Sequence, residues 1–348
     1  MRDPFSLDGT LVQPGKQAEI QIQIPNLYTN NPMYCSVFVV HGRKPGPVLL
    51  LSGVIHGDEI NGVEIIRRIL NIKSLKRLHG TIVAVPVVNV FGFLNKSRYL
   101  PDRRDLNRSF PGSEKGSLAG RMANLFLTKI VMQCTHGIDL HTAAVHRDNF
   151  PQIRAVIDEP EVYRMAMAFN APVIINTTIM DGTLRKSATD LGIPVIVYEA
   201  GEALRFDEVA IRAGVKGVIS TMRELDMLPK IKISSKKTEP FVARSSSWVR
   251  APRSGILRST KTLGLQVKQG ELLGIVSDPA GQFEEEIISP TSGIIIGRTT
   301  IPLVNEGEAL FHIAKFKASE DVIGFVEDFQ EEMDPATDVT PTSEPPIF

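Results

Sequence analysis

Cysteine is scarce in this chain. Its 348 residues include only Cys35 and Cys134. No disulfide framework is implied, and a reducing compartment suits a fold that needs no bridge. No apolar run reaches the roughly 18 residues of a helical membrane span. The N-terminal stretch MRDPFSLDGTLVQPGKQ has no apolar core of the kind a secretory signal carries. Neither sign of charge is in excess, since Lys+Arg and Asp+Glu both total 39. That balance argues against nucleic acid or an anionic membrane as the main partner. The expectation is a soluble, cytoplasmic protein. Its length allows a large core and two domains.

What is present is a repeated switch of hydrophobic period. QAEIQIQI (17–24) alternates polar and apolar residues, as an edge strand does. VLLLSGVI (48–55) is continuously apolar, the pattern of a strand buried on both faces. GVEIIRRILN (62–71) has helical spacing, and GTIVAVPVVN (80–89) is a second buried strand. Strand, helix and strand at this spacing predict a βαβ unit and a parallel or mixed sheet. Residues 92–113 read as loop. Helices are expected at about 117–132 and 206–225, a strand at PQIRAVI (151–157) and a central strand at 193–201.

After about residue 230 the pattern changes to short strands and turns. VRAPRSGILRS resembles IISPTSGIIIGR, and VKQGELLGIV resembles VNEGEALFHI. This internal repeat predicts a small all-β unit of two similar halves. The chain is therefore divided into an α/β catalytic domain at 1–235, a β domain at 236–325 and an acidic, Pro-rich tail at 326–348. The tail is expected to be disordered.

The chemistry starts in GVIHGDEINGVEII. His56 and Glu59 follow a buried strand, where open α/β sheets place ligands. A polar helix start would use the same residue types. His141 also ends an apolar strand, in IDLHTA. Two His and one Glu at strand ends form the ligand set of a catalytic zinc site with one open position. Such a hydrolase needs a general base. Glu199 in VIVYEAGE fits, with Glu202 as the rival whose ordinary use is at a helix start. In SRYLPDRRDLNRSFPG, Asn107 and Arg108 suit a substrate carboxylate. Arg98, Arg103 or Arg104 could hold an oxyanion. Trp248, His312 and the remaining histidines read as packing or surface residues.

HGDE, DLNRSFPG, DLHT and YEAGE, in that order, resemble the succinylglutamate desuccinylase/aspartoacylase family, related to the zinc carboxypeptidases. The resemblance implies a carboxypeptidase-like mixed sheet flanked by helices. It implies one Zn2+ per chain on His56, Glu59 and His141, with Glu199 catalytic. It also implies a substrate-carboxylate pair at Asn107 and Arg108 and an oxyanion arginine at Arg98, with Arg104 still open. RDNFPQIRA (147–155) and GTLR (182–185) resemble pocket loops of the family's predicted-deacylase branch, so Arg154 and Arg185 become substrate contacts. The β domain resembles a lipoyl-like barrel sandwich, but its SDPAGQ turn has no Lys to carry a cofactor. The implied activity is hydrolysis of a small N-acyl amino acid by a zinc-activated water. The alternatives are a carboxypeptidase and a non-catalytic ligand-binding relative. The resemblance is compatible with a homo-oligomer.

Overall fold

The structure is a computed structural model that describes residues 2–230 and 240–315, together with Phe329 and Met333. A small hairpin, β1 (Phe5–Leu7) and β2 (Thr10–Val12), precedes β3 (Lys16–Ile24) and β4 (Met33–His41). The first parallel unit is β5 (Lys44–Gly53), α1 (Asn61–Leu70) and β6 (His79–Val85). Then come α2 (Val90–Leu94), α3 (Leu118–Lys129), β7 (His136–Ala143) and β8 (Arg147–Ala155). Next are α4 (Pro160–Phe169), β9 (Val173–Asn176), α5 (Leu184–Asp190), β10 (Val195–Glu202) and α6 (Glu208–Glu224). Two details depart from the sequence reading. The strand expected at 151–157 starts earlier, at Arg147, so RDNF is strand and not a pocket loop, and α2 lies partly inside the stretch read as loop.

Strands β6, β5, β7 and β10 run parallel at the centre, with β4 and β3 antiparallel beyond β6. Alternation along β5 explains why the run is wholly apolar. Leu49 and Leu51 enter a core with Ile65, Ile66 and Ile69 of α1 and with α4 and α6. Leu50 points the other way, into a second core with Met122 and Phe126 of α3 and Leu184 of α5. Both faces of the sheet are thus covered by helices, so both sets of side chains must be apolar.

The C-terminal antiparallel region follows: β11 (Phe241–Ala243), β12 (Ser245–Arg250), β13 (Gly255–Ser259), β14 (Gln266–Val267) and β15 (Leu272–Ser277). It is completed by β16 (Glu284–Ile288), β17 (Gly293–Thr299), β18 (Leu303–Val304) and β19 (Ala309–Lys315). The repeat seen in sequence reappears as symmetric pairing. β13 pairs with β15 and β18 as β17 pairs with β19 and β14, and β12 pairs with β19 as β16 pairs with β15. Each half therefore lends strands to the other, around a shared core of Leu257, Val276, Ile295 and Ile313.

This region is continuous with the large sheet. β8 has β10 on one edge and shares the other between β9 and β17. β11 pairs with β9. The domain boundary read at 235/236 falls in 231–239, outside the described residues. Most of the stretch read as a disordered tail also lies outside them. Within that stretch Phe329 and Met333 are buried, and the Phe329 ring centroid lies 6.0 Å from that of Phe150. Among the described residues, no helix is long and apolar enough to cross a membrane.

Candidate active site and metal centre

The carboxyl ends of β5, β7 and β10 lie side by side and carry the chemistry. His56 follows β5 through a tight loop in which Val54 has a φ of 54°. A β-branched residue seldom adopts that left-handed conformation, so the loop holds local strain next to His56. The loop also packs on α2 backbone to backbone. A Cβ at Gly57 would lie 2.0 Å from the Gly92 carbonyl carbon, so only glycine fits. Helix α1 begins after Ile60 with no side-chain cap. Glu59 is therefore not a helix cap, and the polar-helix-start reading of HGDE fails.

His56, Glu59 and His141 converge instead. Their candidate ligand atoms all lie within 4.8 Å of one another, and all three residues are buried. Glu59 bridges the imidazoles, with Oε1 2.7 Å from His56 Nδ1 and Oε2 2.7 Å from His141 Nδ1. The other nitrogens also face carboxylates. His141 Nε2 is 2.8 Å from Asp139 Oδ2, and His56 Nε2 is 3.3 Å from Asp105 Oδ1. Asp139 is itself fixed by a 2.7 Å hydrogen bond from Ser52 Oγ. Carboxylates behind ligating histidines orient the rings and raise their basicity. Burial opposes charge on these groups. Even so, the neighbouring carboxylates push His56 and His141 up from ordinary imidazole values, and the imidazoles hold Glu59 well below the usual carboxylate range. The local field thus favours positive charge at the centre of the trio. Two imidazoles and one carboxylate, buried and backed in this way, fit a zinc ion.

Glu199 lies on β10 directly beside His141 in the parallel register. Its Oε2 accepts from Asn149 Nδ2 at 2.9 Å and sits 3.0 Å from Arg154 Nη2. Glu202, the rival, accepts from the His146 amide and the Thr300 hydroxyl, and so ties two loops together. Arg98 reaches the centre from the loop after α2, with Nη1 3.2 Å from Glu59 Oε1 and Nη2 2.9 Å from Asp105 Oδ2. Arg104 is exposed and does not line the cleft.

One cleft of about 440 Å³ is lined by all nine residues singled out as metal ligands, catalytic groups or substrate contacts. Asn107 accepts from the Leu184 amide with Oδ1, which joins its loop to the start of α5. Arg108 donates to the Asn107 carbonyl and is otherwise open to the cleft. Arg185 donates to Thr177 Oγ1 at 3.0 Å, and burial together with nearby Arg154 lowers its pKa.

Sequence reasoning missed Asp139, Asp105, Asn149, Arg147 and Trp248. Asp139 had a signal, since a residue two before His141 on a strand shares its face. Asp105 and Asn149 lie inside the DLNRSFPG and RDNFPQIRA motifs, but only the folded loop and strand show that they meet the site. Trp248, read as packing, lines the cleft although it lies in the C-terminal region.

A model of the succinylglutamate desuccinylase/aspartoacylase catalytic domain matches residues 45–225, just over half of the chain. An N-alpha-acetyl-L-2,4-diaminobutyric acid deacetylase from Halomonas elongata is 27% identical over 292 residues, covering 78% of this chain and 83% of the relative. Two solved structures share the fold at 22% identity. A succinylglutamate desuccinylase/aspartoacylase from Rhodobacter sphaeroides has a TM-score of 0.78, covering 87% of this chain and 96% of its own. A product-bound ectoine utilization protein from Ruegeria pomeroyi has a TM-score of 0.79, covering 91% and 100%.

Proposed function

The chain belongs to the succinylglutamate desuccinylase/aspartoacylase family, and on that premise we propose that it is a zinc-dependent deacylase that hydrolyses the amide bond of a small N-acyl amino acid. The observation that carries this reading is the meeting of three element ends. The His56–Glu59–His141 trio, Glu199 and the Asn107–Arg108 pair line one cleft. Its volume of about 440 Å³ suits a small molecule better than a peptide chain.

His56, Glu59 and His141 would hold the zinc. Bound there, zinc supplies a Lewis acid that polarises the acyl carbonyl and acidifies a water. Everything else is done by side chains. Among the described residues only Oε2 of Glu199 is engaged, by Asn149 and Arg154. Oε1 is left to accept a proton from the attacking water and to return it to the leaving amine. Arg98 spends Nε, one N–H of Nη1 and one of Nη2 on its carboxylate partners. One N–H on each terminal nitrogen remains to donate to the oxyanion as charge develops there. Asn107 and Arg108 grip the substrate's α-carboxylate, with the amide nitrogen and the guanidinium as donors.

The test combines metal content with turnover. Purified wild type is expected to carry about one zinc per chain and to hydrolyse members of an N-acetyl and N-succinyl amino acid panel. His56→Ala should lose both metal and activity. Glu199→Gln should keep the metal and lose at least about a hundredfold in kcat. A folded wild type that stays metal-free in added zinc would overturn the reading.

A further inference from the structure

Five arginines line the cleft: Arg98, Arg108, Arg147, Arg154 and Arg185. Arg98 and Arg154 are paired with carboxylates of the site, Arg108 has a role in the reading above, and Arg185 is held by Thr177 Oγ1 and the Thr178 carbonyl. Arg147 has neither an ion-pair partner among the described residues nor a role so far. Its position is nevertheless tightly defined. Nη1 donates to the Ala309 carbonyl at 3.1 Å, and the guanidinium carbon lies 5.0 Å from the centroid of the Trp248 ring. Trp248 in turn stacks on His312, with ring centroids 4.5 Å apart and planes 9° from parallel. His312 is buried and fixed by a 2.8 Å contact between Nε2 and Ser246 Oγ.

Trp248, Ala309 and His312 all lie outside residues 45–225, the span that the family model matches. A guanidinium held over an aromatic face keeps its in-plane N–H donors, the arrangement that suits a carboxylate. One N–H is used by Ala309, and the others are available to the cleft.

We propose that Arg147, held by Trp248 and Ala309, is a specificity-determining residue that receives a second carboxylate of the substrate, separate from the one at Asn107–Arg108. The inference rests on the deacylase reading. It assigns the C-terminal region a direct part in choosing the substrate. The second carboxylate belongs either to the acyl chain or to the amino-acid side chain, and matched pairs of compounds separate the two. N-succinyl-L-alanine is compared with N-pentanoyl-L-alanine, and N-acetyl-L-glutamate with N-acetyl-L-glutamine.

Trp248 is the chain's only tryptophan, so its fluorescence reports on this corner of the cleft without turnover. In zinc-loaded Glu199→Gln, the acidic member of at least one pair should change that fluorescence at a concentration about tenfold or more below its neutral twin. Adding Arg147→Met should abolish the preference and leave the neutral twin's Kd within about twofold. In catalytically intact chains, Trp248→Leu should raise KM for the acidic member far more than it changes kcat, and Trp248→Phe should recover part of the loss. The inference falls if each acidic compound binds no better than its twin. It also falls if Arg147→Met weakens both members equally, as a structural role would. If wild type hydrolyses panel members but shows either result, only this inference is lost. If wild type hydrolyses none of them, the deacylase reading fails with it.

Discussion

The two halves of the C-terminal repeat have the same pairing scheme and different neighbours. At three equivalent positions one half has Trp248, His312 and Gly297, while the other has Glu286, Ile275 and Arg258. On the second half Glu286 and Arg258 face water, and Arg258 is paired with Glu284. On the first half Trp248 lines the cleft, His312 stacks against it, and Gly297 lies against Asn149 and the Trp248 ring. The strands also differ by one residue. Leu257 and Arg258 oppose the consecutive Val276 and Ile275, but Ile295 and Gly297 oppose the consecutive Ile313 and His312. Ile296 is therefore an extra residue, a bulge that bends the strand. It is buried in the main core, and the rest of β17 turns onto β8. One inserted residue and three side chains separate a solvent face from a wall of the cleft.

The largest effect should come from filling the gap at Gly297. A Cβ there would lie 2.9 Å from Asn149 Oδ1 and 3.2 Å from His312 Cβ. Asn149 is the amide that donates to Glu199. Gly297→Val is expected to lower kcat by about a hundredfold and stability by about 1–3 kcal/mol while zinc content stays at the wild-type level. Steady-state kinetics with metal analysis checks this, and unchanged kcat would show that the docked half only covers the cleft.

A smaller effect is expected at His312, whose counterpart is Ile275. Burial and nearby Arg154 push the imidazole down to about 3. Below about pH 6.5 the unfolded chain takes up a proton there that the folded chain refuses. Stability is thus fully present above pH 6.5 and is lost as pH falls towards 3. Between pH 7 and 4.5 this amounts to about 2 kcal/mol. In His312→Ile the fall between those pH values should be smaller by that amount, measured by denaturant midpoints. An identical fall in both chains would mean that the histidine is charged inside the fold.

The smallest effect belongs to the solvent half. Arg258→Ala breaks an exposed ion pair, for which a change within about 0.5 kcal/mol is expected. Activity should not change. A loss of turnover would mean that the second half also meets the substrate.

The sequence showed the fold where periodicity is strong, in the apolar strands and long helices of the α/β part and in the repeated β unit. It brought out His56, Glu59, His141 and Glu199, which the fold gathers at one cleft, because each sits at a strand end in a short motif. It could not show the docking of the repeat, because pairing partners are set by tertiary packing and not by local pattern. Residues 147–155 illustrate the point. The strand pattern is legible in PQIRAVI, but nothing local shows that the strand starts at Arg147 or that β17 pairs with its first residues. Which of Arg98 and Arg104 reaches the cleft likewise depends on the way the loop after α2 folds, which spacing does not specify.

The forked edge of β8 has a consequence for how the protein comes apart. Its outer hydrogen bonds are divided between a strand of the α/β part and a strand of the repeat. Neither region can leave without baring backbone that the other had paired. Heating should therefore melt the two regions in one cooperative transition rather than two. A chain ended at residue 230 would present open strand edges at β8 and β9, which makes it a template for self-association.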